Sequence, residues 1–359
     1  MSQNLTNNIT YSIDNENLST WKTARNNPSL ALKAAKKNLI LAKENNYSLG
    51  IAWATGNIGT AHLWLSNYEE ALEYTSQARE LLHQEKDFEH EADILYNLCV
   101  IFYYLGEYEK QILYAKESLH ISEEINYDLG KASAYNGIGL AYYTSNENKE
   151  AIKYLIKGKE IAEKIEDKAT LLKILDSIGQ SYFQLGEYDK ALTFKEECAK
   201  ISGEVGEKSI EAYALDGIGE IYFKKNDLNN AVDYFNKSLN IRKTLGFKLG
   251  EAETIMHLGE LHLVSGNNEL AKQQLNESIE IASSIKAYDI VSKSHLLLSD
   301  FYEKSQDTTL HIKHFKAYHK ARDFYNRENE NKKLRTFELK SRLEQMKKEK
   351  ELLEQKTNS

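Results

Sequence analysis

The sequence repeats itself every forty residues, and this period constrains the fold more than any single motif does. One column of the repeat, meaning a set of positions forty residues apart, contains only small residues: Gly59, Cys99, Gly139, Gly179, Gly219, Gly259 and Ser299. A branched aliphatic residue precedes each of them, and a Tyr, Phe or His follows three positions after each. The register holds over seven copies, so the chain is predicted to be a repeat array rather than two or three unrelated domains.

Each period reads as two helices joined by a turn. Apolar residues recur at three- and four-residue spacings on both sides of one turn column. That column reads Ser66, Gly106, Asn146, Gly186, Asn226, Gly266 and Gln306. A further column, beginning at Ala71, holds mostly Ala at the start of the second helix, where it meets the first. One such αα-hairpin cannot bury its apolar stripe alone, so the hairpins are expected to stack into a solenoid.

These residues resemble the tetratricopeptide repeat, whose pattern is W-x2-L-G-x2-Y, then A-x3-F, then P, over 34 residues. Ile138, Gly139, Tyr142 and Ala151 have that spacing. The chain departs from the pattern in its forty-residue period, in the position of the aromatic residue after the Ala, and in having Pro28 as its only proline. It is most similar to the long-helix subclass of bacterial tetratricopeptide sensor and regulator proteins. The resemblance implies an all-α fold, a right-handed superhelical solenoid of stacked αα-hairpins followed by a long C-terminal helix.

The repeat register divides the chain into three parts. Residues 1–8 are expected to be a disordered tail, residues 9–321 the repeat array and residues 322–359 a charged helix. Within the array we expect a degenerate first repeat at residues 9–48 and seven repeats from residue 49 onwards.

The C-terminal helix has the spacing of a coiled-coil seam for about two heptads. The seam residues are Leu339, Leu343, Met346 and Leu353, with Lys350 interrupting them. A homodimer through this helix is one interpretation, and a solvated end-helix is the other.

Composition restricts the partners and the compartment. The net charge is −8, and residues 324–359 hold ten Lys or Arg against seven Asp or Glu, a net +3 that leaves −11 for the rest of the chain. An acidic array lacks the basic stripe that nucleic acids require, and a tail of mixed sign is a poor membrane anchor. The first twenty residues lack a signal-peptide pattern, and two cysteines favour a reducing compartment. We expect a cytoplasmic protein with no direct nucleic-acid or membrane contact.

No combination of residues indicates catalysis, a cofactor or a metal site, since phosphate-binding loops, HExxH and GxSxG are all missing. His311 and His314, one helical turn apart and near His319, could chelate a metal, but no further ligand stands at suitable spacing. Cys99 and Cys198 occupy columns of small residues, which favours burial over redox chemistry. The chain is therefore predicted not to be an enzyme.

In the resembled family, the first helix of each hairpin lines a concave groove, and positions −3, −2, +1, +4 and +5 from the small residue face it. Transferred to this sequence, these positions give the partner-binding candidates. They are Asn57, Tyr96, Asn97, Tyr103, Asn136, Tyr143, Asp176, Gln180, Phe183, Asp216, Glu220, Phe223, His257 and Glu260. Asn57 and Asn97 match the family's amide site, which can both donate to and accept from a peptide backbone.

Two groups of candidates have alternative interpretations. The aromatic side chains at position +4 could serve mainly in packing between repeats. The carboxylates Asp176, Asp216, Glu220 and Glu260 could be an ordinary charged surface, or they could attract a partner with a basic segment.

The first functional hypothesis is an interaction scaffold that binds a peptide or protein segment in the groove. The alternative is a sensory input module, because the C-terminal helix resembles the segment that joins such arrays to a cyclase, kinase or DNA-binding output. A Rap-type regulator is disfavoured, since the segment before Leu18 is too short for the effector bundle that those proteins carry ahead of their repeats.

Overall fold

The computed structural model describes residues 2–25 and 27–357, with the side chains of residues 2–7 and of many positions after residue 331 excepted. The described residues form helices and no strands. The helices are α1 (Ser2–Thr23), α2 (Pro28–Glu44), α3 (Ser48–Trp64), α4 (Tyr68–Glu85), α5 (Phe88–Leu105), α6 (Tyr108–Glu124), α7 (Asp128–Thr144), α8 (Asn148–Lys164), α9 (Lys168–Gln184), α10 (Tyr188–Val205), α11 (Lys208–Lys224), α12 (Leu228–Thr244), α13 (Lys248–Val264), α14 (Asn268–Ser284), α15 (Tyr288–Lys304) and α16 (Thr308–Thr357). None of these helices is both long enough and apolar enough to cross a bilayer.

The chain divides into two compact units. The N-terminal unit comprises Met1–Thr170 with Lys332–Ser359, and the C-terminal unit comprises Leu171–Asn331. Odd-numbered helices are the first helices of hairpins and even-numbered helices the second. In the N-terminal unit, the first helices α1, α3, α5 and α7 also pack on one another in order, and α11, α13 and α15 do so in the C-terminal unit.

The turns between helices follow one rule. A residue with positive φ stands at every twentieth position. These residues are Asn46, Ser66, Lys86, Gly106, Asn126, Asn146, Glu166, Gly186, Gly206, Asn226, Gly246, Gly266, Lys286 and Gln306. The N–H that follows donates to the carbonyl five residues earlier, as from Asn67 to His62 at 3.0 Å, which ends each helix in a left-handed cap. The turn column predicted inside each hairpin is confirmed, and the turns between hairpins use the same geometry.

Inside the hairpins, the ring three positions after the small residue packs on a side chain twelve positions later. The stacked pairs, with centroids 5.3 to 5.9 Å apart, are His62–Tyr74, Phe102–Tyr114, Tyr142–Tyr154, Tyr182–Phe194, Tyr222–Tyr234 and Tyr302–His314. In the hairpin of α13 and α14, the equivalent residues are His262 and Gln274, and His262 Nδ1 lies 2.7 Å from Gln274 Oε1. The stacking of the ring pairs accounts for the position of the second aromatic column, which is shifted from the usual tetratricopeptide position.

The small-residue column marks where the two helices of a hairpin approach most closely. A Cβ added at Gly139 would lie 2.5 Å from Leu155 Cγ, and one added at Gly219 would lie 2.6 Å from Phe235 Cδ1. The second helix therefore lays a large side chain directly on the first helix at this position.

The predicted fold class is confirmed: the protein is all-α, built of stacked αα-hairpins and followed by a long C-terminal helix. The predicted division into residues 1–8, 9–321 and 322–359 stays a prediction. Helix α1 begins at Ser2, and no Gly or Pro occurs before Pro28 to stop a helix. Helix α16 passes residue 321 without a break, because its sequence contains no Gly or Pro. The side chains of the seam residues Leu339, Leu343, Met346 and Leu353 lie outside the described ones.

Candidate functional site

The predicted partner-binding residues lie on the first helices, and the set in each unit is called the face of that unit. The N-terminal face carries Asn57, Tyr96, Asn97, Tyr103, Asn136 and Tyr143. The C-terminal face carries Asp176, Gln180, Phe183, Asp216, Glu220, Phe223, His257 and Glu260.

Three asparagines of the N-terminal face are buried and bonded to the chain itself. Asn57 Nδ2 donates to the Asn17 carbonyl at 2.9 Å, and Asn97 Nδ2 donates to Thr60 Oγ1 at 2.9 Å. Asn136 Nδ2 donates to the Tyr96 hydroxyl at 3.2 Å. The amide donors are therefore committed to bonds between neighbouring first helices.

The acceptor halves of two of these amides are free. Asn57 Oδ1 and Asn136 Oδ1 have no hydrogen-bond partner, although the two residues are only 2% and 4% exposed. A buried acceptor left unpaired costs roughly 1–3 kcal/mol. Pairing of Asn57 with a peptide backbone would require its side chain to move, because its donor is used by Asn17 and its acceptor is covered by the chain.

The aromatic candidates are half-buried, so each side chain packs on the chain and also keeps an accessible edge. Tyr103 packs edge-on against Tyr104, with centroids 5.2 Å apart, and Phe183 lies 5.7 Å from Tyr188. Phe223 packs against the cluster that contains Phe235. Tyr143 is likewise half-buried.

On the C-terminal face, Asp176 is bound to a lysine from a second helix. Lys195, in α10, is 3% exposed, and its Nζ lies 2.6 Å from Asp176 Oδ1. Its aliphatic stem crosses Gly179, where an added Cβ would lie 2.8 Å from Lys195 Cγ. Burial alone would lower the pKa of Lys195, but the charge of Asp176 and its hydrogen bond leave that pKa raised.

Arg242, from α12, is fully buried, and its guanidinium lies close to Asp216. Its Nη1 donates to the Gly250 carbonyl at 2.6 Å and to Thr254 Oγ1 at 2.7 Å, and it lies 3.7 Å from Asp216 Oδ1. The Thr254 hydroxyl lies 2.7 Å from the same carboxylate oxygen. The guanidinium also covers the ring of Tyr213 at 4.9 Å. Two hairpins are joined by this arrangement.

His257 completes the charged cluster. Its Nδ1 lies 3.2 Å from Asp216 Oδ2, and its Nε2 lies 3.9 Å from Glu220 Oε1. Burial would lower the pKa of His257, but the adjacent Asp216 raises it to about 9, so the imidazole is charged at neutral pH. Burial would raise the pKa of Asp216, but His257 and Arg242 hold it below its usual value. Burial raises the pKa of Glu220.

The charge pattern changes the expectation for a basic partner. Asp176 and Asp216 already bind cations of the chain, so they are poor sites for a positively charged ligand. Glu220 also faces the charged His257, so of the four predicted carboxylates only Glu260 remains as a candidate for that role.

Lys195 and Arg242 were not predicted from the sequence, although their columns carry a signal. The column of Lys195 otherwise reads Thr75, Ala115, Leu155, Phe235, Leu275 and Phe315. The column of Arg242 otherwise reads Leu82, Ser122, Ala162, Ser202, Ala282 and Arg322, of which Arg322 is exposed. A cation at a position whose equivalents are mostly buried requires a counterion, since an unpaired buried charge is strongly unfavourable.

The two cysteines lie where their columns predicted, in the interior. Burial raises the pKa of both thiols to about 12. Cys198 Sγ donates to the Leu172 carbonyl at 3.5 Å. The hydroxyls of Ser118, Ser238 and Ser278 donate to the equivalent carbonyls at 2.8 Å.

The histidines near the end of the array bond within the last hairpin. His311 Nδ1 lies 3.1 Å from Ser299 Oγ, and His314 Nδ1 lies 3.0 Å from His295 Nδ1. His319 packs edge-on against Phe315. In the part of the chain that the structure describes, no group of three or more His, Cys, Asp or Glu side chains could hold a metal ion.

Comparison with known proteins agrees with this architecture. The family described as "Tetratricopeptide repeat" matches residues 130–204, 170–244 and 210–284. No curated protein matches the sequence significantly.

Several solved structures share the fold at low sequence identity. A signal transduction ATPase with a tetratricopeptide repeat sensor, from Pyrococcus horikoshii, is 21% identical with a TM-score of 0.65, over 87% of this chain and 49% of its own. A Rap protein complexed with competence and sporulation factor is 16% identical with a TM-score of 0.61, over 92% of this chain and 99% of its own. NprR in complex with its cognate peptide NprX is 14% identical with a TM-score of 0.58, over 88% of this chain and 96% of its own. Residues 130–284 therefore match the tetratricopeptide repeat family, and the chain shares its fold with these solved structures.

Proposed function

We propose that this chain is a non-catalytic scaffold of bacterial signalling that binds a peptide or protein segment on the first-helix faces of its repeats. The observation that carries the proposal is the set of half-buried aromatic side chains on the first helices of the N-terminal unit, Tyr96, Tyr103 and Tyr143, each of which keeps an accessible edge. A partner segment that covers these edges would remove apolar surface from water, which favours binding.

The compared structures support the same class of ligand. The Rap protein is complexed with competence and sporulation factor, and NprR is complexed with its cognate peptide. At 16% and 14% identity the comparison transfers the fold but not the contact residues.

On the N-terminal face, the half-buried rings of Tyr96, Tyr103 and Tyr143 would contact the apolar side chains of the segment. Such rigid aromatic side chains give large contact area at low cost in conformational entropy. On the C-terminal face, Glu260 would favour a basic residue in the segment.

Selection from a random displayed peptide library tests this proposal. Peptides enriched on the whole chain should lose affinity at least about tenfold for Tyr103→Ala/Tyr143→Ala, since each ring is an expected anchor. Leu113→Ala, on the exposed surface of the second helix α6, is the matched control and should bind normally. Failure to enrich any peptide, or equal loss with both variants, would contradict the proposal.

A second candidate, the sensory input module, is favoured by the continuity of α16. This helix belongs to the last hairpin and continues to Thr357, so a change in the tilt of that hairpin would be carried along the same rigid rod. Dimerisation through the predicted seam would complete such a relay. Light scattering should then give twice the 41.2 kDa chain mass, and a version ending at Ala321 should be monomeric. A monomer at every accessible concentration of the whole chain would exclude the dimeric relay.

A further inference from the structure

A cleft outside the predicted groove is lined by the second helices α4 and α6 and by the first turn of α5, all in the N-terminal unit. It encloses about 280 Å³. Pockets that take whole small molecules have roughly 300–1,000 Å³, so this cleft suits one long side chain of a larger partner. None of the residues that line it belongs to the predicted partner-binding set.

The lining of the cleft is acidic. Glu91, Glu117 and Glu124 stand against one arginine, Arg79, which gives a formal charge of −2 with the histidines counted as neutral. Arg79 Nη2 lies 2.8 Å from Glu117 Oε2, so the cation of the chain is held by one of the three carboxylates. The negative charge that remains favours a cationic ligand.

Glu91 is the buried carboxylate of this lining, with a side chain that is 3% exposed. Its Oε2 lies 3.0 Å from His83 Nδ1. Its Oε1 lies 3.8 Å from Arg79 Nε, which is longer than a hydrogen bond. Because a carboxylate oxygen has two lone pairs, Oε1 can accept from a donor that enters the cleft.

Two apolar side chains complete the cleft. Phe88 is 36% exposed, and Ile121 is half-buried. The packing of the repeat does not demand a ring at residue 88, since the equivalent residues are Ser48, Asp128, Lys168, Lys208, Lys248 and Tyr288. A guanidinium stacks on an aromatic ring, and the methylene groups of a long basic side chain pack on apolar surface.

We propose that this cleft binds an arginine side chain of a partner protein. The methylene groups lie against Phe88 and Ile121, and the guanidinium donates to the carboxylates of Glu91 and Glu124. The planar fork of arginine can donate to two carboxylates at once, which the compact ammonium of lysine does less well. This contact is separate from the first-helix faces, so one partner can occupy both.

Two probes of the same shape isolate the charge of the ligand. Acetyl-arginine amide carries the guanidinium, and acetyl-citrulline amide carries a neutral urea in its place. Titrated into the whole chain and followed by the imidazole C–H resonances, the arginine probe should shift His83 and His120, which both line the cleft. The citrulline probe should bind at least about tenfold more weakly. A shift of His257 without shifts of His83 and His120 would place the arginine on the C-terminal face and overturn the proposal.

Matched variants locate the carboxylate. Glu124→Gln should weaken binding of the arginine probe about fivefold or more. Glu204→Gln, at the equivalent exposed position two repeats later, should leave the affinity unchanged. Phe88→Ser introduces the residue that stands at the equivalent position 48 and should also weaken binding. Equal affinity of the unmodified chain for the two probes, or equal effects of Glu124→Gln and Glu204→Gln, would contradict an arginine site in this cleft.

Discussion

Lys195 Nζ lies 2.6 Å from Asp176 Oδ1, and the lysine stem reaches it by crossing Gly179 in the same hairpin. Lys195 occupies the position where Leu155 and Leu275 pack on their own glycines. A charged side chain thus stands where other hairpins have a core leucine, and the carboxylate of Asp176 is its counterion.

This relationship predicts an asymmetric response to mutation. Asp176→Asn leaves a buried ammonium without a counterion and should lower the free energy of unfolding by about 3 kcal/mol. Lys195→Leu introduces the side chain that stands at two equivalent positions, Leu155 and Leu275, and leaves only a partly exposed carboxylate. It should therefore lower the free energy of unfolding by about 1 kcal/mol or less. Urea unfolding of the two single variants and the double variant measures both values and their coupling. Equal destabilisation by both would show that the pair is not organised by the burial of Lys195.

The raised pKa of His257 predicts that the free energy of unfolding falls as the pH rises into the alkaline range. The folded-state pKa of about 9 exceeds the ordinary value of 6.5, so the stabilisation is fully present below pH 6.5 and is lost as pH rises through 9. The loss should amount to about 3 kcal/mol across that window. Urea midpoints between pH 6 and pH 10 measure it, with His257→Gln as the comparison that should lack the slope. A slope unchanged in His257→Gln would assign the effect to another group.

The two cysteines should respond differently to the same substitution. Cys198→Ser should change stability by less than about 0.5 kcal/mol, because serine already makes the equivalent bond at Ser118, Ser238 and Ser278. Cys99→Ser should cost about 1–3 kcal/mol, because it places a hydroxyl in the apolar cluster of Ala115 and Ile138. Thermal unfolding of the two variants measures both changes in stability. In the native protein, a thiol reagent should label neither cysteine at an appreciable rate near neutral pH.

Left-handed turn positions without Gly or Asn are sites for stabilisation. Lys286 has φ of 59°, and Lys286→Gly should raise the free energy of unfolding by about 0.5–1 kcal/mol, because glycine accepts this conformation without strain. Gly266→Ala, at φ of 78°, is the converse control and should lower stability by about 1 kcal/mol. A loss of stability in Lys286→Gly would mean that unfolded-state entropy outweighs the strain.

The sequence predicted those features that the repeat itself imposes. The small column, the Ala column and the hairpin turns are set by close helix contact and by backbone conformation, so each is visible as a conserved spacing within one chain. Lys195 and Arg242 were missed because they are exceptions to their columns, and the function was assigned to first-helix positions only. The burial of Asp216 and the unpaired acceptor of Asn57 each depend on the side chains of the neighbouring repeat. The spacing of residues in the sequence does not reveal those contacts.

The short segment before Leu18 does not distinguish this fold from that of a Rap protein, because the two structures match over 99% of the Rap chain.

The left-handed residues at every twentieth position make the hairpin the natural unit of insertion and loss. Removing forty residues between equivalent turns joins a second helix to a first helix, so every retained side chain keeps its orientation. Removing twenty residues would put a second helix where a first helix belongs, so the side chains that follow would no longer face their packing partners. Variation in the length of such an array is therefore restricted to whole hairpins, and each hairpin gained or lost adds or removes one complete set of first-helix side chains.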